Sequence, residues 1–413
     1  MKRILNLALI LFIIISTNFG YISRYLELDK NSLEYNFIRN PSSFEIAKSV
    51  LVSYGITTSK EISLYSSIIN QTASDIENKF NKKSKIEFAK FIFQYMHDNI
   101  LKKYSEHAYR LDTLLDSGDY NCISSTIFYN ILLIKKGYNP QMVLTRDHTF
   151  TILNIDGNDI FIENTSEAGF NYINNPHLIN REELVSRLQK DKHIVLNQKE
   201  MILSIYANRI YYINGPEKAF QISLKALALD PESIAKYNNI QAGFFNYLQY
   251  LTKNEKNYEK SYSITQEAVE SLKSYPFLLN RYKIDVNNYL ILLVENQDFE
   301  KALTILQNSS EYISDIDFIN EMNFYININY GNFYFSNQNY EKAYSKFMIS
   351  YEINSRNSTI NKNLNSTFIM WAQQNFKNDN YTKAEEIINK GLEIFPESPP
   401  LNKMRNYLNK IDY

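Results

Sequence analysis

A short motif recurs along the C-terminal half of this 413-residue chain, and a fixed recurrence constrains the fold more than composition does. Asn257-Tyr258-Glu259-Lys260 returns as Asp298-Phe299-Glu300-Lys301-Ala302, as Asn339-Tyr340-Glu341-Lys342-Ala343 and as Asn380-Tyr381-Thr382-Lys383-Ala384. The aromatic residue steps by 41 each time, and Pro216-Glu217-Lys218-Ala219 stands 42 residues before the next copy. A unit of that size cannot bury an apolar face alone, so the copies must stack on one another. Within the first and last copies a second mark recurs: Ala219 precedes Pro231 by 12 residues, and Ala384 precedes Pro396 by 12. The small residue lets two helices approach closely, and the proline ends the second helix of the pair. Only 10 Gly and 9 Pro are present, which argues against a turn-rich all-β fold. The 33 Tyr, 25 Phe and 44% apolar content supply ample core material and argue against disorder.

The motif over residues 205–413 resembles the tetratricopeptide repeat, a helix–turn–helix unit with a usual period of about 34 residues. The seven extra residues are close to two helical turns, so they fit either longer helices or loops. The resemblance implies an α-solenoid of about five helix pairs over 201–413 whose concave surface binds a protein or peptide partner, by analogy of fold. The plainer reading is that the repeats only build a stack.

The other end of the chain reads as an export signal. Met1, Lys2 and Arg3 are followed by an apolar run from Ile4 to Ile15 broken only by Asn6. That run fits a secretory h-region and is short for a spanning helix. Residues 1–20 are therefore expected to be a signal peptide or an N-terminal anchor, the protein being exported to the periplasm, cell envelope or outside. Membrane contact is expected only through that segment. Lys and Arg number 44 against 45 Asp and Glu, so no basic excess suggests nucleic acid. Cys122 is the single cysteine, which excludes a disulfide framework and a cysteine-rich zinc site.

Chemistry concentrates in the middle. Residues 42–104 read as helices, with amphipathic patterns over Phe44–Leu51 and Ile86–Ile100. Gly118 breaks the next helix, and Asp119 or Asn121 can cap a new one. Ile123, Ile127, Ile131 and Ile134 mark its apolar stripe. Cys122 thus falls in a first helical turn, where free N–H groups and the helix dipole favour a thiolate. Met142–Thr145 and His148–Leu153 read as strands, Asp156-Gly157 as a hairpin turn, and Ile160–Thr165 as the return strand. A two-residue turn sets His148 opposite Thr165, with Glu163 its diagonal neighbour on the same face and Asn164 on the other. A loop of odd length would exchange Glu163 for Asn164. Cysteine at a helix start followed by histidine and an acid on adjacent strands is the layout of a nucleophilic thiol with its base and orienting group. His97, His107, His177 and His193 lack such a context and read as surface or packing residues.

Asn121-Cys122-Ile123-Ser124, Gly137 to Val143, His148-Thr149-Phe150 and Ile162-Glu163-Asn164-Thr165 resemble the transglutaminase-like superfamily. The nearest likeness is to its bacterial SirB1-type branch, in which repeats often follow the core. Leu111 to Gly118 fits that branch's Leu-rich stretch, and Arg181-Glu182-Glu183-Leu184 its helix after the core. The resemblance spans about 45–200. It implies Cys122 as nucleophile, His148 as base and Glu163 as the acid, where Asp is commoner; Asn164 stands where Pro is usual. No oxyanion side chain stands out upstream, Tyr120 and Asn121 being the nearby polar groups. The expected architecture is α+β and mainly helical. A helical lead-in and a papain-like, transglutaminase-like core with a small antiparallel sheet fill 21–200, and the repeats fill 201–413. The expected activity is cysteine-dependent acyl transfer, as a peptidase or amidase, needing no metal or organic cofactor. The rival expectation is an inactive envelope adaptor working through its repeats.

Overall fold

A computed structural model describes residues 21, 23–80, 84–145, 148–174, 182, 194–272 and 275–410. The expected signal segment lies outside these residues, as does nearly all of the helix expected at 181–184. The described chain is α+β and mainly helical, with two small sheets. It divides into two compact units, Met1–Tyr250 and Leu251–Tyr413. No helix among the described residues is long and apolar enough to cross a membrane.

Among its described residues the first unit opens with α1 (Leu33–Arg39), α2 (Ile46–Ser53), α3 (Ser59–Lys79) and α4 (Lys85–Asn99). A two-residue strand β1 (Lys103–Tyr104), α5 (Leu111–Ser117) and β2 (Asp119–Tyr120) follow, β1 and β2 pairing in parallel. Then comes α6 (Cys122–Lys135), and after it β3 (Gln141–Leu144), β4 (Thr149–Ile155), β5 (Asn158–Ile162) and β6 (Ile194–Leu196). These four strands form an antiparallel sheet in the order β5-β4-β3-β6. The unit closes with α7 (Gln198–Tyr212), α8 (Pro216–Leu229), α9 (Ser233–Lys236) and α10 (Asn238–Tyr250).

The hairpin register agrees with the turn reading. Asp156 and Gly157 both have positive φ, 51° and 84°, the backbone that a two-residue primed turn demands and that glycine tolerates best. Ile155 therefore faces Asn158, and the ladder runs on to Thr151 opposite Ile162. Helix α6 departs from the one-stripe expectation. Cys122 and every residue from Ser124 to Leu133 are buried, because the sheet, α4 and α5 enclose the helix from several sides. Its polar residues then need internal partners. Tyr129 donates to the Ala89 carbonyl at 2.9 Å, and Thr151 donates to Asn130 Oδ1 at 2.7 Å.

The second unit contains α11 (Tyr258–Ser271), α12 (Pro276–Glu295), α13 (Phe299–Ser309), α14 (Ile316–Ser336), α15 (Tyr340–Ile353), α16 (Ser358–Lys377), α17 (Tyr381–Ile394) and α18 (Pro399–Leu408). Every copy of the motif begins a helix: α8, α11, α13, α15 and α17. The extra residues of the long period lie in α12, α14 and α16, which are 20, 21 and 20 residues long. Pro231 and Pro396 follow α8 and α17 closely, as expected of helix-ending prolines.

Candidate active site

The cysteine is placed by a helix cap. Asn121 Oδ1 accepts from the Ile123 and Ser124 amides at 2.9 and 3.1 Å, and Ser124 Oγ accepts from the Asn121 amide at 3.0 Å. This reciprocal capping box fixes the first turn of α6. Asn121 Nδ2 and Ser124 Oγ also donate to the carbonyls of Glu106 and Ala108, at 3.0 and 2.7 Å, tying that turn to the segment before α5. The cap consumes two of the free N–H groups at the start of this helix. The amide of Cys122 itself makes no hydrogen bond among the described residues. Asn121 is committed to capping, so it is not free to act as an oxyanion side chain.

His148 directly precedes β4. Its backbone exchanges hydrogen bonds with Thr145, at 2.9 Å from the Thr145 amide and 3.1 Å to the Thr145 hydroxyl, and these clamp the end of the β3–β4 hairpin. Glu163 directly follows β5. Its Oε2 lies 2.5 Å from His148 Nε2, and its Oε1 accepts from the Thr165 amide at 2.9 Å and the Thr165 hydroxyl at 2.6 Å. The Glu163 amide donates to the Gly169 carbonyl at 3.0 Å. A Cβ on Gly169 would lie 2.0 Å from the Glu163 carbonyl oxygen, so only glycine fits this tight loop.

The choice between Glu163 and Asn164 follows from strand alternation. Glu163 projects to His148, whereas Asn164 projects beneath the sheet. There its Nδ2 donates to the hydroxyls of Thr126 and Thr151, at 3.1 and 3.0 Å. Asn164 therefore ties the sheet to α6 through these hydrogen bonds. Thr165 was not singled out by pattern, although it is the residue that orients the acid. Its signals were its place opposite His148 in the hairpin register and two residues after Glu163, where a short polar side chain can fold back.

Burial alone would push the His148 imidazole toward its neutral form. The neighbouring Cys122 and the hydrogen bond and charge of Glu163 outweigh that and raise its pKa to about 10. Burial opposes ionisation of Glu163 as well, but His148 and the two Thr165 donors hold its carboxyl below the usual range. The two groups therefore form an ion pair at neutral pH, with Nε2–H donating to the carboxylate. Among the other histidines, His97 packs on Phe93 with ring centres 4.6 Å apart, and burial lowers its pKa. His177 and His193 lie outside the described residues.

Cys122 and His148 line a cleft of about 650 Å³. Its far wall comes from α7 and from the junction of α9 and α10, through Asn208, Tyr211, Tyr212, Asn238 and Asn239. Sequence patterns did not bring these residues to the thiol, because over 80 residues separate them from Cys122. No family model matches this chain, and no curated protein matches it.

Proposed function

We propose that this protein is an exported cysteine-dependent acyl-transfer enzyme that hydrolyses amides, with a transglutaminase-like, papain-like core followed by tetratricopeptide repeats that bind a protein partner or substrate. The observation that carries the reading is His148 lining one open cleft with Cys122 and paired with a charged, three-fold hydrogen-bonded Glu163. In this mechanism the Cys122 thiolate adds to the substrate carbonyl carbon, and the unengaged Cys122 amide donates to the developing oxyanion. The C–N bond then breaks as the imidazolium of His148 protonates the leaving amine. The thioester is attacked by water, which gives its proton to His148; the acid leaves and the thiolate returns. Glu163 holds the ring's orientation and offsets its charge throughout.

The test is thiol alkylation and amide hydrolysis by wild type, Cys122→Ala and His148→Ala. Cys122→Ala should lose about 10⁴-fold or more in kcat. His148→Ala should slow iodoacetamide alkylation of Cys122 near neutral pH about tenfold or more, because the base proposed to take the thiol proton is gone. An alkylation rate equal in wild type and His148→Ala would overturn the reading in favour of the adaptor.

A further inference from the structure

The wall of the cleft opposite Cys122 has a chemistry of its own. Tyr211, at the end of α7, is 71% exposed although it lines the cleft. Its neighbour Tyr212 is fixed: its ring stacks on Tyr109 with centres 4.1 Å apart and planes 10° apart. Tyr211 stands at 90° to Tyr212, 5.0 Å away. A held ring thus carries an open one. Beside them, Asn208 and Asn239 spend their Nδ2 groups on the Ser204 and Ala207 carbonyls, at 2.9 and 3.2 Å, which leaves each Oδ1 to accept from a ligand N–H. Among the described residues, Lys236 is the only Lys, Arg, Asp or Glu lining the cleft, and it is already within 4.0 Å of Glu200, Asp230 and Glu232. Glu106 influences the Tyr212 hydroxyl but does not line the cleft.

We infer that this cleft takes an uncharged peptide with an aromatic residue beside the scissile amide, its ring seated on Tyr211 and its backbone N–H groups received by Asn208 and Asn239. The inference rests on the acyl-transfer reading, since it assumes an amide presented to Cys122. An aromatic ring gains area burial and ring contact on Tyr211. A charged side chain would give up hydration to the described wall opposite Cys122, whose one lysine is already paired with carboxylates. The Asn acceptors select N–H donors, which a peptide backbone supplies at regular spacing.

The experiment uses full-length protein and matched tripeptide chloromethyl ketones carrying Phe, Ala, Asp or Lys next to the reactive group. The readout is the rate of Cys122 labelling by mass spectrometry, with iodoacetamide as a reagent that needs no subsite. Phe should label about tenfold faster than Ala, and faster than Asp or Lys by on the order of a hundredfold. Tyr211→Ala should collapse the Phe-to-Ala ratio toward one, while Tyr211→Phe, which keeps the ring, retains it. Circular dichroism of both variants checks that they fold. A wild-type ratio near one, faster labelling by Asp or Lys, or an unchanged ratio in Tyr211→Ala overturns the inference. If iodoacetamide reacts quickly in those cases and depends on His148, the acyl-transfer reading survives. A thiol inert to every reagent overturns both.

Discussion

The carboxylate of Glu163 receives one hydrogen bond from His148 and two from Thr165, and the two partners act on different properties. His148 supplies the charge, and Thr165 fixes the direction. Glu163→Gln keeps the shape and loses the charge, so kcat should fall about 10³-fold. Thr165→Val removes only the hydroxyl donor and should cost about tenfold. Comparing kcat of these variants separates the two contributions. The pair also makes stability depend on pH. His148 is raised to about 10, so its contribution is fully present below the ordinary histidine value of 6.5 and is lost as pH rises through about 10. Glu163 is depressed, so its contribution is present above the ordinary 4.5 and is lost as pH falls through its lowered value. The Tm gap between wild type and Glu163→Gln should therefore be widest near pH 5.5 (about midway between those ordinary values) and shrink toward pH ~10. Melting curves across that range check it. Cys122, His148 and Glu163 were legible because a helix start, a strand and a hairpin turn leave local marks. Thr165 and the uncommitted Cys122 amide were not, since hydrogen-bond assignments depend on how the cap and loop close.

Among the elements, the recurring motif resolves into separate physical jobs. The residue before each of the last four copies is left-handed: Lys256, Gln297, Gln338 and Asp379 have φ of 53°, 62°, 59° and 54°. Asn257, Asn339 and Asn380 then cap the helix through the amide three residues on, at 3.1, 3.3 and 3.3 Å. Ala302, Ala343 and Ala384 are fully buried, and Ser261 takes that place in α11, donating to Asp285 at 2.9 Å. The motif's glutamate accepts from a tyrosine 30 residues later: Tyr247 to Glu217 at 3.4 Å, Tyr289 to Glu259 at 2.6 Å and Tyr330 to Glu300 at 2.8 Å. In the next copy the corresponding residue is Trp371, under Lys383 at 5.9 Å. Tyr289→Phe should lower the stability of the second unit by about 1 kcal/mol, and Ala302→Leu by about 1–3 kcal/mol through overpacking; denaturant melts of the two variants check both. The period was plain in the sequence because the cap, aromatic and small residue recur side by side. The left-handed residue was hidden because Lys, Gln and Asp all occupy it where glycine would have announced it. The tyrosine partner was hidden because it lies on another helix, beyond any local periodicity.

At the scale of the molecule, the motif and the contact units divide the chain differently. The repeats begin near residue 205 by pattern, yet the first compact unit runs to Tyr250. Leu203, Ile205 and Tyr206 of α7 are fully buried in the same core as Val50, Leu51 and Leu133. Glu34 of α1, 4% exposed, meets Lys225 of α8 at 2.7 Å and Arg209 of α7 at 3.6 Å, and Arg209 also donates to the Ser53 carbonyl at 2.7 Å. Removing α7 and α8 would leave a buried carboxylate without its cations, a loss of several kcal/mol, and would open the core along α2. A periodic pattern reports which helices are alike; it says nothing of which core each one fills. A chain ending at residue 200 should therefore lack a cooperative thermal transition and lose the cleft with it. One ending at Tyr250 keeps α7, α8 and α10, and should melt cooperatively and retain a His148-dependent Cys122 alkylation rate. Differential scanning calorimetry and the alkylation assay on the two truncations decide it: equal behaviour of the pair would mean that the first helices of the repeats contribute nothing to the thiol's surroundings.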